Sequence, residues 1–227
     1  MKKYFVTGTD TEVGKTFSSC RLLEEAHRQG MSTLGLKPVA AGCEMLDGQM
    51  KNEDALALIE ASSVKLPYAQ VNPVALETAC SPHIAASISK KGVSASRLTG
   101  YVRGALMSKV DFALVEGAGG WRVPISPRET MADLAKELGY PVIMVVGMKL
   151  GCLNHALLTA EAIRNDGLVL AGWIANQQSS DQMSYFDENV HTLRQAINAP
   201  CLGVLPHQSG SVSAEFGKYI HLDCLTV

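Results

Sequence analysis

Residues 6–16, VTGTDTEVGKT, decide the fold of this chain, because they almost match a phosphate-binding loop. The usual pattern places four residues between a first glycine and Gly-Lys-Ser/Thr. Here five residues separate Gly8 from Gly14, so the loop is one residue longer than that pattern. The run KYFVTG (3–8) before it is apolar like a buried strand, and residues 16–30 after it have the spacing of a helix that ends at Gly30. A strand, a glycine loop and a helix in this order predict a phosphate site.

Further apolar runs alternate with helical patterns along the rest of the chain. The runs lie at 33–40, 111–117, 141–147, 168–176 and 199–206, and they lack the strict alternation of half-exposed strands. Helical patterns cover about 94–109, 129–139, 153–166 and 182–197. This order predicts an α/β fold with a doubly wound, mainly parallel sheet, P-loop NTPase-like, in a single domain over residues 1–227. Residues 41–92 are the least regular, and we expect short helices and loops there, over one end of the sheet.

Composition limits the classes of function. The chain has 227 residues, 47% of them hydrophobic, a net charge of −2 and a pI near 6.3. This balance offers no basic surface, so neither nucleic acid nor an acidic membrane is an expected partner. The six cysteines are scattered without Cys-x-x-Cys spacing, which favours reduced thiols in a cytoplasmic protein over disulfides or a zinc site. No apolar run reaches the roughly 18 residues that a membrane span needs.

The glycine loop supplies groups that bind a nucleoside triphosphate. Backbone N–H groups at the start of the following helix attract phosphate oxygens. Lys15 can neutralise charge on the β- and γ-phosphates, and the hydroxyl of Thr16 can bind Mg²⁺. A glycine-rich turn with an exposed lysine is the structural alternative, and the flanking strand and helix disfavour it.

Other candidate residues lie where the carboxyl ends of parallel strands would meet. Glu116 ends the run ALVEG, where P-loop proteins hold a metal or its water, although a solvated glutamate at a strand end has the same pattern. Lys37 ends another run and either places a second ammonium at this edge or extends to solvent. Asp54 begins a helical pattern, where acidic residues are ordinary partners of the helix dipole. The helix start at Gly151–Asn154 is compatible with an asparagine cap or with an anion site.

Several segments, taken in order, resemble the dethiobiotin synthetase family: GTDTEVGKT, LKPVAAG, NEDALAL, NPVALETACSPHIAA, VEGAGGW, PVIMVVGMKLGCLNHALLT and LAGWIAN. The likeness runs from residue 3 to about residue 206 and includes the longer glycine loop. The resemblance implies ATP- and Mg²⁺-dependent closure of a ureido ring in biotin synthesis. CO₂, supplied as bicarbonate, would add to an amine of 7,8-diaminononanoate, ATP would phosphorylate the carbamate, and the second amine would displace phosphate.

The resemblance also implies roles for individual residues. Lys37 would hold the carbamate and Lys15 would bridge it to the γ-phosphate, with Thr11 as a third catalytic residue. Mg²⁺ would be bound by Thr16, Asp54 and Glu116. The implied nucleotide-binding set is Glu12, Val13, Gly14, Lys15, Thr16, Asp54, Glu116, Gly117, Ala118 and Gly119, with Asn176, Gln177, Pro206, His207 and Gln208 around the adenine.

The resemblance further implies a homodimer with sites near its interface. In such a dimer Gly151, Cys152, Leu153 and Asn154 of the partner copy would receive the carboxylate of the diamine. The chain departs from the family at two places. Ala41 stands where the family often has a substrate-facing serine, and Gln177 stands where an acidic residue is expected. The first removes a hydroxyl contact, and the second leaves the base selectivity open.

Three other functions compete with the synthetase hypothesis. A partitioning-type P-loop ATPase shares this sheet, but such proteins usually carry a lysine early in the loop, where Thr9-Asp10-Thr11 stand here. A non-catalytic nucleotide-binding subunit would leave Lys37, Asp54 and Glu116 without a role. Another ligase could phosphorylate a different carbamate. An ATP turnover that depends on the diamine would separate the synthetase from all three.

Overall fold

The computed structural model describes residues 1–207 and 219–225. In chain order the strands are β1 (Lys2–Gly8), β2 (Thr33–Leu36), β3 (Val39–Ala40), β4 (Glu44–Leu46), β5 (Gln49–Lys51), β6 (Val74–Ala75), β7 (Phe112–Gly120), β8 (Val142–Gly147), β9 (Leu170–Asn176) and β10 (Cys201–Leu205). The helices are α1 (Lys15–Arg28), α2 (Glu53–Ala61), α3 (Tyr68–Val71), α4 (Pro82–Ile88), α5 (Ala95–Ala105), α6 (Met131–Leu138), α7 (Cys152–Asn165) and α8 (Phe186–Ala196), and a 3₁₀ turn covers Leu222–Cys224.

Six strands form the main sheet in the order β10-β9-β8-β1-β7-β2. Every pairing between them is parallel. Strand β1 lies inside the sheet, with Phe5 opposite Val115 on β7 and opposite Val142 on β8. The predicted fold class is therefore confirmed. Because β1 is internal, the glycine loop that follows it opens at the middle of the sheet's carboxyl edge.

The strands are apolar along their length because helices cover both faces of the sheet. Tyr4, Phe5 and Val6 are completely buried. Phe5 belongs to one core cluster and packs its ring edge-on against Trp121, whereas Tyr4 and Val6 face the other cluster with Leu22 of α1. Both core clusters therefore pack against β1, one on each face of the sheet, and together they fix this strand at the centre of the sheet.

Pro38 divides the strand that the sequence predicted over 33–40. Strand β2 ends at Leu36, and β3 leaves the main sheet to pair with β6. The cause is that proline has no N–H to donate to a ladder and restricts the residue before it. This break sends Lys37 out of the sheet at its carboxyl edge.

Residues 41–92 contain more strand than the sequence predicted. They form the expected short helices α2, α3 and α4, but also the hairpin β4–β5 and the partner strand of β3. Strands of two or three residues have too few positions to show a period. The helix predicted over 182–197 begins only after Tyr185, which has a left-handed φ of 56°. The assignment of a single domain stays a prediction.

Within residues 1–207 and 219–225, no helix combines the length and the apolar character that crossing a membrane would demand.

Candidate functional site

A cleft of about 830 Å³ opens at the carboxyl edge of the sheet, where four predicted segments meet. The glycine loop contributes one wall, and the segment after β2 contributes Lys37 and Ala41. The start of α2 and the end of β7 complete the lining. The predicted residues that line the cleft are Thr11, Glu12, Gly14, Lys15, Thr16, Lys37, Ala41, Asp54, Ala118 and Gly119.

The additional residue of the loop is accommodated by left-handed backbone. Glu12 has a φ of 58° and Gly14 a φ of 85°. The side chain of Asp10 caps the loop, because its Oδ1 accepts a hydrogen bond from the N–H of Thr11 at 2.8 Å. Lys15 Nζ donates to the backbone oxygen of Asp10 at 3.3 Å. Thr11 and Glu12 are consequently exposed at the tip of the loop, where both residues border the cleft.

Lys37 lies between two carboxylates. Its Nζ donates to Glu116 Oε1 at 2.6 Å and to Asp54 Oδ2 at 2.9 Å. The backbone oxygen of Gly117 is 3.4 Å away. Burial alone would lower the pKa of Lys37, but the charges of Glu116 and Asp54 outweigh it and raise the pKa above its usual value. Lys37 is therefore a buried ammonium whose charge is balanced by two carboxylates.

Glu116 is fully buried and does not line the cleft itself. Thr16 Oγ1 donates to its Oε1 at 2.8 Å, and Ser19 Oγ donates to its Oε2 at 2.7 Å. The carboxylate thus lies behind Thr16 and Lys37. Ser19 was not predicted from the sequence, although its position one helical turn after Thr16 places both hydroxyls on the same face of α1.

Lys15 shares the electrostatic environment of Lys37. Burial lowers the pKa of Lys15 to about 8, and repulsion by the charge of Lys37 adds to the shift. Glu116, Asp54 and Asp10 oppose the shift only in part. The structure therefore brings both predicted lysines to one cleft. An anion that enters the cleft would meet two ammonium groups instead of one.

The oxygen atoms around Lys37 fit the donor preferences of Mg²⁺. Thr16 supplies a hydroxyl, and Asp54 and Glu116 supply carboxylates, which are the hard ligands that Mg²⁺ prefers. No cluster of three or more His, Cys, Asp or Glu side chains with metal-binding geometry occurs in the described ranges. Magnesium usually relies on one or two carboxylates together with substrate phosphates and water, so this smaller donor set suits it.

A second pocket of about 230 Å³ adjoins the cleft through the shared residues Glu12, Gly14 and Phe17. Its other lining residues are Asn176, Gln177, Gln178, Pro206 and His207. The adenine residues predicted from the sequence thus come together here, except Gln208, which lies outside the described residues. Phe17 and Gln178 were not predicted, because nothing in their sequence context marks them.

Asn176 holds the glycine loop from the side of this second pocket. Its Nδ2 donates to the backbone oxygen of Val13 at 2.9 Å. Val13, which was predicted to bind the nucleotide, is itself fully buried and lines neither cavity. A Cβ atom at Gly14 would overlap the amide of Asn176, which requires glycine at this position in addition to its positive φ.

The helix start at Gly151–Asn154 lies apart from both cavities. Among the residues that the structure describes, none of these four lines the cleft or the second pocket. Lys149 just before them forms an ion pair of 3.4 Å with Asp10 of the glycine loop. Leu150 is 95% exposed and Leu158 of α7 is 56% exposed, so this end of α7 presents apolar side chains to solvent.

Comparisons of the sequence with known proteins give close matches over nearly the whole chain. The family described as AAA domain matches residues 2–215. An ATP-dependent dethiobiotin synthetase BioD from Cellvibrio japonicus is 57% identical over 98% of this chain and 96% of its own length. One of the same name from Marinobacter nauticus is 50% identical over 93% of this chain and 91% of its own length.

Solved structures with this fold are more distant. The septum site-determining protein MinD from Pyrococcus horikoshii has a TM-score of 0.52 and 16% identity over 91% of this chain and 82% of that chain. Chloroplast FtsY from Physcomitrella patens has a TM-score of 0.55 and 15% identity, and it aligns with all of this chain, which spans 65% of the FtsY chain. At such identities the likeness concerns the fold alone.

Proposed function

The chain belongs to the family of ATP-dependent dethiobiotin synthetases, and on that premise we propose that it is an ATP-dependent ligase that forms dethiobiotin in biotin biosynthesis. The identity of 57% over 98% of the chain supports the activity. The observation that carries the proposal is the pair Lys15 and Lys37, two largely buried ammonium groups beside one cleft. A cytoplasmic location and the absence of nucleic-acid and membrane partners complete the proposal.

The reaction joins 7,8-diaminononanoate and CO₂ at the expense of ATP. One amine attacks CO₂ and loses a proton, which gives a carbamate. A carbamate oxygen then attacks the γ-phosphorus, and ADP leaves. The second amine attacks the carbonyl carbon of this mixed anhydride, loses a proton and expels phosphate, which keeps the bridging oxygen. The products are the cyclic urea, ADP and phosphate.

Charge repulsion is the main obstacle to the phosphoryl transfer. Two unit charges at 4 Å repel by about 4 kcal/mol in an environment with an effective dielectric constant near 20, and a triphosphate carries several charges. Lys15 follows Gly14 at the start of α1, where the backbone N–H groups also attract phosphate. In the proposed mechanism Lys15 lies between the γ-phosphate and the carbamate, and the ammonium of Lys37 stabilises the carbamate.

Thr16, Asp54 and Glu116 would hold Mg²⁺. The bound ion would supply additional positive charge at the β- and γ-phosphates. Lys37 neutralises the same two carboxylates in this structure, with contacts of 2.6 and 2.9 Å. We propose that Lys37 turns from these carboxylates towards the carbamate once another cation compensates their charge. Thr11 and Glu12 at the loop tip would contact both substrates.

The nucleotide would extend from the cleft into the second pocket. The phosphates would lie on the loop at Gly14–Thr16, and the backbone from Gly117 to Gly119 would run beside them. The base would enter the second pocket past Phe17, between Asn176–Gln177 and Pro206–His207. This path uses the three residues that both cavities share.

The carboxylate tail of the diamine would be bound by a second copy of the chain. Gly151–Asn154 line neither described cavity of their own chain, yet they begin a helix whose N–H groups attract anions. The exposed Leu150 and Leu158 on either side of them suit burial in a homodimer. Ala41 offers no hydroxyl to the substrate, so we propose that water replaces this contact.

A coupled ADP-release assay tests the proposed function. We expect turnover only when the diamine and bicarbonate are both present, with a cyclic urea detected by mass spectrometry. Lys15→Gln and Lys37→Gln should each lower kcat by at least about 10²-fold, whereas Lys109→Gln, at an exposed lysine, should not. Robust ATP turnover without the diamine would contradict the proposal and favour a partitioning-type switch.

A further inference from the structure

One wall of the cleft is formed by residues 40–42 and 79–82, none of which lines the second pocket. The two segments lie side by side, because the N–H of Gly42 donates to the backbone oxygen of Thr78 at 3.3 Å. Apart from one cysteine and one serine, the residues of this wall are alanine, glycine and proline. An apolar wall of this kind suits the hydrocarbon chain of the diamine.

Ser81 is the hydroxyl-bearing residue of this wall, and it occupies the N-cap position of α4. A serine at this position usually accepts a hydrogen bond from one of the first N–H groups of the helix. The side chain of Ser81 makes no such bond. The N–H of His83 donates to the backbone oxygen of Pro124 at 3.3 Å. The N–H of Ile84 donates to the backbone oxygen of Ser81 at 3.0 Å. The helix therefore does not use this hydroxyl.

His83 is the residue that holds the hydroxyl of Ser81. The atoms Ser81 Oγ and His83 Nδ1 are 2.9 Å apart. If the hydroxyl donates to Nδ1, both lone pairs of Oγ remain for a ligand. If Nδ1–H donates to Oγ instead, Oγ keeps one lone pair and its own proton. With either tautomer of His83, Oγ can accept a hydrogen bond from an N–H group.

The other side chains of this wall cannot take the place of Ser81. Ala41 has no polar side-chain atom. The thiol of Cys80 donates to the backbone oxygen of Ser81 at 3.7 Å, and sulfur is a weak acceptor. An amine at this wall therefore finds its side-chain oxygen acceptor in Ser81.

We propose that Ser81 binds one amine of the diamine and that His83 is the positioning residue that orients its hydroxyl. The inference rests on the proposed function, which brings the diamine into this cleft. The amine donates one N–H to Oγ and keeps its lone pair for attack on carbon. Ser81 takes up no proton in this role. A few fixed polar groups in an apolar pocket are enough to orient a ligand, and the methylene chain packs against the alanines.

The effect of this contact is specific to the diamine. Loss of one hydrogen bond in Ser81→Ala should raise the KM for the diamine about 5-fold. The KM for ATP should not change, because the proposed nucleotide path uses Gly14–Thr16 and the second pocket. His83→Leu should raise the KM for the diamine by a similar factor, because the hydroxyl can then rotate. His83→Asn keeps a polar group near the position of Nδ1, so its KM should stay within about 2-fold of the wild type.

Steady-state kinetics of cyclic urea formation, with the diamine and ATP varied in turn, tests this proposal. The variants are Ser81→Ala, His83→Leu, His83→Asn and the double variant Ser81→Ala/His83→Leu. The double variant should have a KM for the diamine within about 2-fold of that of Ser81→Ala, because both changes remove the same contact. Ser87→Ala is the matched control at an exposed serine of the same helix, and it should behave as the wild type.

An unchanged KM for the diamine in Ser81→Ala would overturn the proposal. So would a parallel rise in the KM for ATP, which would indicate a general structural defect, or effects of the two single variants that multiply in the double variant. An unchanged KM in His83→Leu would remove His83 from its positioning role.

Calorimetric binding of the diamine without bicarbonate separates this inference from the proposed function. A wild-type protein that binds the diamine about 5-fold more tightly than Ser81→Ala, yet forms no cyclic urea, would support the contact and refute the synthetase activity. Equal binding by both proteins, together with cyclic urea formation by the wild type, would refute the contact alone. A wild-type protein that binds no diamine would refute both.

Discussion

Replacement of Lys37 by methionine should destabilise the protein as well as inactivate it. The side chain of Lys37 is 4% exposed, and it ion-pairs with Glu116, whose side chain is 0% exposed. Methionine has a similar length but neither charge nor donor. Glu116 would keep only the hydroxyls of Thr16 and Ser19 as partners. A fully buried carboxylate would then lack its compensating cation.

The size of the effect follows from the burial of the pair. Removal of one partner of a buried ion pair typically costs about 3–5 kcal/mol of unfolding free energy. Asp54 adds little to this cost, because its side chain is 37% exposed and water can solvate it. For a chain of this length each kcal/mol corresponds to roughly 2–4 °C in Tm, so we expect Tm to fall by about 6–20 °C.

Thermal unfolding of Lys37→Met, Glu116→Gln and the double variant provides the assay. The double variant should be more stable than Lys37→Met, because it removes the unpaired charge, yet it should remain inactive. Mg²⁺ should raise the Tm of Lys37→Met more than that of the wild type, since a cation can take the place of the lost ammonium. A Lys37→Met protein as stable as the wild type, or a double variant less stable than Lys37→Met, would refute this reasoning.

Further predictions concern the loop, proton linkage and assembly. Gly14→Ala should weaken ADP binding at least about 10-fold by calorimetry, because the Cβ atom of the alanine would overlap the side chain of Asn176. Gly48→Ala is the control, since Gly48 has a similar φ but open space around it, and this variant should bind ADP as the wild type does. With a pKa of about 8, Lys15 is protonated in roughly one molecule in ten at pH 9. Because the phosphates of ADP favour the charged ammonium, ADP binding at pH 9 should take up close to one proton, which calorimetry in two buffers measures. Equal proton uptake by a Lys15→Gln protein would contradict this. Without ligand, Lys15 has a pKa of about 8 in the folded protein and about 10.5 in the unfolded chain, so between these pH values the unfolded chain binds more protons than the folded protein. The contribution of Lys15 to the free energy of unfolding therefore rises with pH in that window. Denaturation at a series of pH values can measure this rise. Light scattering should give about twice the 24.3 kDa chain mass for the wild type. Leu158→Glu should give a lower mass, because it places a charge in the proposed dimer interface. A wild-type protein that is monomeric at micromolar concentration would contradict the proposed dimer.

The sequence predicted the architecture because its signals are local. Apolar runs, the glycine loop and Pro38 act over a few residues, and the parallel sheet then places the ends of β1, β2 and β7 at one edge. Lys15 and Thr16 followed from the same motif. The short strands of residues 41–92 escaped detection since two or three residues show no period.

The contacts inside the cleft could not be derived from the sequence. Ser19 bonds to Glu116 across 97 residues of chain, and Lys37 reaches the same carboxylate across 79. Such pairs depend on how far each side chain extends from its strand or helix. The orientation of the Gln177 amide is a further case, because it depends on the carbonyl of Ser179 in the following turn.

The central claim is that one cleft brings a carbamate oxygen to the γ-phosphate under the charges of Lys15 and Lys37. Transfer of ¹⁸O from freshly added C¹⁸O₂ tests it most directly, with the released phosphate analysed by mass spectrometry within seconds, before exchange with water dilutes the label. The account predicts one ¹⁸O atom in each phosphate released and one in the carbonyl of the cyclic urea. Phosphate without the label, formed alongside a labelled urea, would contradict it.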